Sequence, residues 1–219
     1  VVFHPLQTTD ILLIENILNC INHNKSQTLT FTQNGIQLSK STITNQYETQ
    51  IESENKWTFK EHIGFKETLY IVGGGHVGLA VSKLFRFLNF TVVVFDNRDN
   101  LNTLESNTFA HQKHVINYTK IADFIKKGND SYVAIMTNKY TEDKLVLSQL
   151  LRNNYAYIGV LGSKAKLKTM WEVLQQEGFK QEELDTVFAP IGIHIKSETP
   201  EEIAISIAAE IIQTKNKAL

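Results

Sequence analysis

The chain carries two different alternations of apolar and polar positions, and the change falls near residue 68. In the first part Ile11, Leu12, Ile14, Ile17, Leu18 and Ile21 recur at the spacing that lines one side of a helix, which predicts a helix over Thr8 to Asn22 with Thr9 or Asp10 as its cap. The stretch TLTFTQNGIQLS then alternates with a period of two on both sides of Asn34-Gly35. Both residues tolerate positive φ, so a hairpin turning at that dipeptide is expected. Lys40 to Lys56 is polar and weakly periodic, and reads as a loop with one strand at Tyr47 to Ile51.

From Thr68 onward the runs LYIV, TVVVF, HVIN, YVAIM, YAYIGV and VFAP are strand-like, and about ten to fifteen residues of helical pattern separate most of them. Strands alternating with helices imply crossover connections, hence a parallel sheet covered on both faces. The segment TPEEIAISIAAEII announces a final helix, with Thr199 as N-cap, Pro200 at the first helical position and Glu202 closing a capping box. The expected fold class is α/β: a small α+β region over 1–67, then a doubly wound parallel sheet over 68–219.

Composition narrows the function. With 22 basic and 23 acidic residues in 219, there is no electrostatic case for nucleic acid or a membrane surface as partner. The single cysteine, Cys20, excludes an internal disulfide framework, fits a reducing cytoplasmic setting, and on the apolar side of the first helix reads as a buried small hydrophobe. No apolar run approaches the length of a membrane span. Because the first residue is Val1 rather than methionine, a fragment of a longer protein is expected.

The chemistry-bearing stretch is YIVGGGHVGLAVSKLF. In Gly73-x-Gly75-x-x-Gly78 the first glycine permits a sharp turn out of a strand, the second lets backbone approach a pyrophosphate, and the third lets the following helix pack closely. The helix from His76 and Val77 would aim its N-terminal amides at the phosphates. The next strand ends in Asp96, placed to accept hydrogen bonds from a ribose diol. A turn serving only helix-sheet packing is the competing reading. Arg98 is open between accepting a 2′-phosphate and lying on the surface, and His76 between phosphate ligand and exposed first-turn residue.

Taken with VFDNRD, YVAIMTNKYTEDKLVL, YAYIGVLGSKAK and FAPIGIHIKSETPEEIAISIAAEI, the glycine turn resembles the xanthine dehydrogenase accessory family (XdhC/CoxI), from about Leu69 to the C-terminus. The resemblance implies a C-terminal Rossmann-like domain behind a smaller N-terminal domain. It also implies a protein that binds molybdenum cofactor (molybdopterin), helps its sulfuration and supports its delivery into apo xanthine dehydrogenase or a related molybdenum hydroxylase. A cysteine desulfurase is then an expected partner. By resemblance the family's glycine turn falls on Gly73, Gly75, His76 and Gly78, its second-strand acid on Asp96, its Gly-Ser-basic loop on Gly162, Ser163 and Lys164, and its Pro-Ile-Gly segment on Pro190, Ile191 and Gly192. Gly74 and Val77 in the turn, Arg98 beside the acid and Thr137 after the fourth strand complete the expected cofactor-binding set. Two departures stand out. Asn138, Lys139 and Tyr140 follow Thr137 where many members carry a His-Asp-His-like run, and no Ser-Gly-Gly-Cys-type segment precedes Gly73.

Read without the resemblance, LGSKAKLKTMW places Gly162 and Ser163 at the carboxyl edge of the sheet, with Ser163 as cap of the next helix. Lys164, Lys166 and Lys168 put positive charge there, which suits a pterin phosphate or a dinucleotide; an ordinary capped helix with solvated lysines stands beside that reading. Lys164 in a first turn opposes the helix dipole unless an anion compensates. Gly192 allows a close approach, and His194 is open between site and surface. No metal is expected. The alternatives to a maturation factor are an NAD- or NADP-dependent oxidoreductase, for which no proton donor is evident, and a nucleotide-sensing regulatory domain. A homodimer is expected from the frequency of symmetric dimers.

Overall fold

The computed structural model describes residues 5–22, 25–40, 47–64 and 67–217. The chain divides into two compact units, Val1–Lys66 and Glu67–Leu219.

In the first unit a helical turn at Thr8–Asp10 leads into α1 (Ile11–Asn22). The N-cap is Gln7 rather than Thr9 or Asp10: the helical turn starts earlier than the apolar spacing shows, and Asp10, as its third residue, reaches back to accept the Gln7 amide at 2.9 Å. Cys20 is buried, whereas Ile11, Leu12, Leu18 and Ile21 are exposed. Four antiparallel strands follow, β1 (Gln27–Thr32), β2 (Gly35–Lys40), β3 (Tyr47–Ser53) and β4 (Lys56–Ile63), in the order β2-β1-β4-β3.

The hairpin forms, but it turns at Gln33 and Asn34 rather than at Asn34-Gly35, since Thr32 pairs with Gly35. This register sets Leu29 opposite Leu38 and Phe31 opposite Ile36. Turning one residue later would break both apolar cross-strand pairs, so they outweigh the local turn preference. The expected strand at Tyr47 runs on to Ser53, and β4 occupies a stretch the polar pattern did not announce. The residues 41–46 of the expected loop lie outside those described.

The second unit is a five-stranded parallel sheet, β5 (Thr68–Val72), β6 (Thr91–Asp96), β7 (Gln112–Val115), β8 (Gly128–Ile135) and β9 (Tyr155–Val160), in the order β7-β6-β5-β8-β9. Its helices are α2 (His76–Phe87), α3 (Asn102–Glu105), α4 (Tyr140–Leu150), α5 (Lys164–Gln176), α6 (Gln181–Leu184) and α7 (Pro200–Lys217). Every residue of Leu69–Val72 and Val92–Asp96 is buried. One face packs Val81 and Phe85 of α2 with Ile207 and Ile211 of α7, and the other packs Val146, Leu147 and Leu150 of α4 with Met170 and Leu174 of α5. Helices on both faces of a parallel sheet make this the doubly wound, Rossmann-like arrangement that the apolar runs predict.

The order reverses between β6 and β8 around β5, so the crevice at the carboxyl ends of these strands is the topological switch point where such sheets bind ligands.

Two edge segments differ from expectation. HVIN shifts to Gln112–Val115, and VFAP makes only one parallel bridge, Phe188 to Gly159. Phe188 exchanges both of its main-chain bonds with Ile158 and Val160, but Pro190 has no amide to continue the ladder. At the start of α7, Thr199 accepts the Glu202 amide at 3.2 Å and Glu202 accepts the Thr199 amide at 3.1 Å, which is the expected capping box. No helix among the described residues is long and apolar enough to cross a membrane.

Candidate functional site

The three glycines of the turn serve different ends. Gly73 leaves β5 with φ of 121°, and a Cβ there would stand 2.3 Å from the Met136 carbonyl oxygen. A Cβ on Gly78 would stand 2.2 Å from the Gly73 carbonyl oxygen. Both are therefore required by the packing of strand, turn and helix. At Gly75, by contrast, no atom lies within 4 Å of a built Cβ, and this residue caps α2 without any side-chain partner. Open space thus lies in front of a helix N-terminus, where backbone amides are free to meet an anion. His76 is exposed and Val77 half-buried beside it. Thr103 braces the turn from α3, donating its hydroxyl to the Gly74 carbonyl at 2.6 Å.

Asp96 ends β6 at 1 % exposure, and its carboxylate is saturated. Oδ2 accepts the Gly74 amide at 2.7 Å and Arg98 Nη2 at 2.8 Å; Oδ1 accepts the Arg98 amide at 3.0 Å and Nε at 2.8 Å. Burial alone would raise its pKa, but the Arg98 guanidinium and the two amides outweigh that and hold the carboxyl below its ordinary value. Arg98 is thus not free: half-buried, it is the carboxylate's bidentate partner, with its own pKa raised by that bond.

Beside this pair, Asn97 donates to Glu142 Oε1 at 2.9 Å, joining the loop after β6 to the first turn of α4. Tyr118 is buried alongside, its phenol pushed up by burial and then by the charges of Asp96 and Glu142.

Across the crevice, after β8, Thr137 donates both its amide, at 2.9 Å, and its hydroxyl, at 2.7 Å, to Oδ1 of Asp143. Asp143 is wholly buried, and Lys166 reaches its Oδ2 at 3.0 Å from α5. Burial raises the Asp143 pKa, against the hydrogen bonds from Thr137 and Lys166. Ser163 caps α5 by accepting the Lys166 amide at 3.3 Å, as expected.

The lysines therefore divide. Lys166 turns inward to a carboxylate, while Lys164 and Lys168 line a groove of about 500 Å³ with Trp171 and Pro190. Gly162 would accept a Cβ at ordinary contact distance. Gly192, at φ of 91°, approaches α7 so closely that a Cβ would meet Ser206 Oγ at 2.3 Å, so the close approach expected there is to a helix. Its amide donates to Glu210 Oε2 at 2.8 Å, which also accepts the Tyr157 hydroxyl at 2.5 Å. His194 is exposed.

The structure thus gathers the turn, Asp96, Arg98 and Thr137 around the switch point, while Lys164 and Pro190 line the separate groove along α5. Sequence reasoning missed Asp143, Glu142, Tyr118, Thr103 and Glu210. Asp143 did leave a signal: it occupies the helical stripe completed by Val146, Leu147 and Leu150, and an acid on a buried stripe demands a polar partner.

Comparison with known proteins agrees with this geometry. Residues 69–211 match the model of the XdhC Rossmann domain. The chain is 32 % identical over 156 residues to the uncharacterised protein YqeB of Escherichia coli, spanning 71 % of this chain and 28 % of that one. It is 29 % identical over 162 residues to a probable xanthine dehydrogenase subunit of Bacillus subtilis, spanning 73 % of this chain and 46 % of the relative. It thus spans less than half the length of these curated relatives. A crystal structure described as a xanthine dehydrogenase from Bacillus halodurans superposes with a TM-score of 0.75 at 24 % identity, covering 98 % of this chain and 67 % of that one, a likeness of fold. The glycine turn, the switch-point crevice and the match across nearly the whole parallel-sheet unit lead to one assignment: the chain belongs to the XdhC family, with the XdhC Rossmann domain as its second unit.

Proposed function

We propose that the protein is an accessory factor for a xanthine dehydrogenase or related molybdenum hydroxylase, holding molybdenum cofactor while it is sulfurated and inserted. The observation that carries the reading is the XdhC match over 69–211 on a domain whose glycine turn opens onto free space at Gly75. The donor set fits a phosphate-bearing group. The amides at the start of α2 and the space before Gly75 would receive the phosphate. Molybdenum cofactor would bring both that phosphate and the metal centre destined for the client enzyme.

The only cysteine is buried in the first unit, so this reading assigns sulfur supply to a separate cysteine desulfurase. The protein would act in the cytoplasm as a homodimer, binding the apo-molybdoenzyme for transfer. The test is anaerobic reconstitution of apo xanthine dehydrogenase with cofactor preloaded on this chain. Activity should rise faster than with an equal amount of free cofactor, and no acceleration would count against the proposal.

A nucleotide-sensing domain or an NAD- or NADP-dependent oxidoreductase is the second reading. Asp96 at the end of the strand after the glycine turn favours it, and it requires NAD or NADP to bind the chain without molybdenum cofactor.

A further inference from the structure

At a switch-point crevice, an acid at the end of the second strand is a natural acceptor for the two hydroxyls of a ribose. Here all the good acceptor directions of Asp96 are filled, by the Gly74 and Arg98 amides and by Nε and Nη2 of Arg98. The two amides belong to the fold, since one holds the glycine turn and the other closes the loop after β6. The guanidinium is different, because it is 37 % exposed and could leave without unmaking either. Its two nearly parallel donors present to the carboxylate what a cis-diol would present: two donors, one for each oxygen.

A second acceptor stands nearby. Glu142 Oε1 accepts Asn97 Nδ2 at 2.9 Å and Lys139 Nζ at 3.3 Å, while the buried Oε2 has no hydrogen-bond partner among the described residues. Buried carboxylate oxygens are ordinarily satisfied, so an orphan one marks an unfilled interaction. Asn97, which ties Glu142 to the loop, lies between Asp96 and Arg98 in sequence. The charge of Glu142 also contributes to the raised pKa of Arg98, which places the two within electrostatic reach.

We propose that Arg98 stands in the place of a ribose diol at Asp96, and that a nucleotide with free 2′- and 3′-hydroxyls binds by displacing the guanidinium toward Glu142. Arg98 then sets the affinity of the crevice for a ribose diol, and the carboxylates of Asp96 and Glu142 select against a 2′-phosphate. Such a dianion would lie against Asp96 and Glu142, whose cations Arg98 and Lys139 are already paired with them. The inference rests on the second reading above, in which the glycine turn receives the phosphates of a nucleotide, and adds that this nucleotide carries an unmodified ribose.

The test is calorimetric titration of the whole chain with NAD and, in parallel, with NADP, for the natural protein and for Arg98→Ala, Arg98→Lys, Glu142→Gln and the Arg98→Ala/Glu142→Gln double variant. Thermal melts establish that each variant is folded. Removing a bidentate charge-assisted contact from Asp96 should tighten NAD by about tenfold in Arg98→Ala. Arg98→Lys, which keeps the charge but loses the fork, should fall between. Glu142→Gln should weaken NAD severalfold in the natural protein and change nothing once Arg98 is alanine, because Glu142 acts only through the displaced arginine.

NAD binding that is unchanged or weakened in Arg98→Ala, or NADP preferred over NAD by the natural protein, overturns the inference and leaves the phosphate reading of the turn standing. If none of the folded variants takes up either nucleotide, the inference falls with its premise for nucleotides, while molybdenum cofactor binding remains separately measurable on the same samples.

Discussion

The three motif glycines differ in what a side chain would do. Gly73→Ala and Gly78→Ala each drive a Cβ into a backbone oxygen, at 2.3 and 2.2 Å, so each should cost about 2–4 kcal/mol in denaturant unfolding. Gly75→Asp meets nothing and sits at φ of −71°, so it should leave the melting temperature within about 2 °C while placing a negative charge at the mouth of the turn. Asp143→Ala strands the Thr137 amide and frees Lys166, a loss of about 2–3 kcal/mol that a urea titration would read.

Asp96 contributes with the opposite pKa shift from Asp143. Its pKa in the fold is below the ordinary 3.8, so the stabilisation is present above that value and is lost as pH falls through the folded pKa. Asp96→Asn should therefore be less stable than the natural protein at pH 7, by about 1–2 kcal/mol after allowance for the partly exposed arginine, with the gap closing below about pH 4.

The sequence pattern assigned the turn to Gly73, the open approach to Gly75 and the helix packing to Gly78, and the space around each agrees; it did not reveal the Met136 carbonyl that closes on Gly73. It likewise left Arg98 open, since only the folded loop shows Nε and Nη2 on the Asp96 carboxylate.

At the scale of elements, the most legible features were those set by local chemistry. Thr199, Pro200 and Glu202 start α7 as their types require, and Thr199→Ala should cost about 1 kcal/mol in thermal unfolding. Ser163 behaves similarly at α5. The central strands were legible because full burial leaves unbroken β-branched runs such as Val92 to Val94.

Edges and the antiparallel sheet were harder. The hairpin turns at Gln33 and Asn34 because Leu29 and Phe31 choose partners across the sheet, a tertiary preference that a dipeptide rule does not contain. The strand Lys56–Ile63 goes unannounced because only Trp57 and Phe59 break its polar run KWTFKEH. VFAP has strand composition, yet Pro190 stops its ladder at a single bridge.

For the whole molecule, two units of different construction are joined at residues 66 and 67, and the family match lies within the second. The parallel order β7-β6-β5-β8-β9 brings residues distant in sequence to one edge. Gly75, Asp96, Arg98, Thr137, Glu142 and Asp143 come from the connections that follow β5, β6 and β8, and their meeting follows from topology rather than spacing. That is why the glycine turn could be recognised from sequence while the Asp143–Lys166 pair, which joins α4 to α5, could not.

The central claim is that this edge receives the phosphate end of molybdenum cofactor. It is tested most directly by anaerobic calorimetric titration of the cofactor into the purified chain and into Gly75→Asp, whose fold is expected to be intact. The account predicts saturable binding by the natural chain and at least about tenfold weaker binding by Gly75→Asp, from a carboxylate set against the incoming phosphate. Absence of binding by the natural chain, or equal binding by a folded Gly75→Asp, would contradict it.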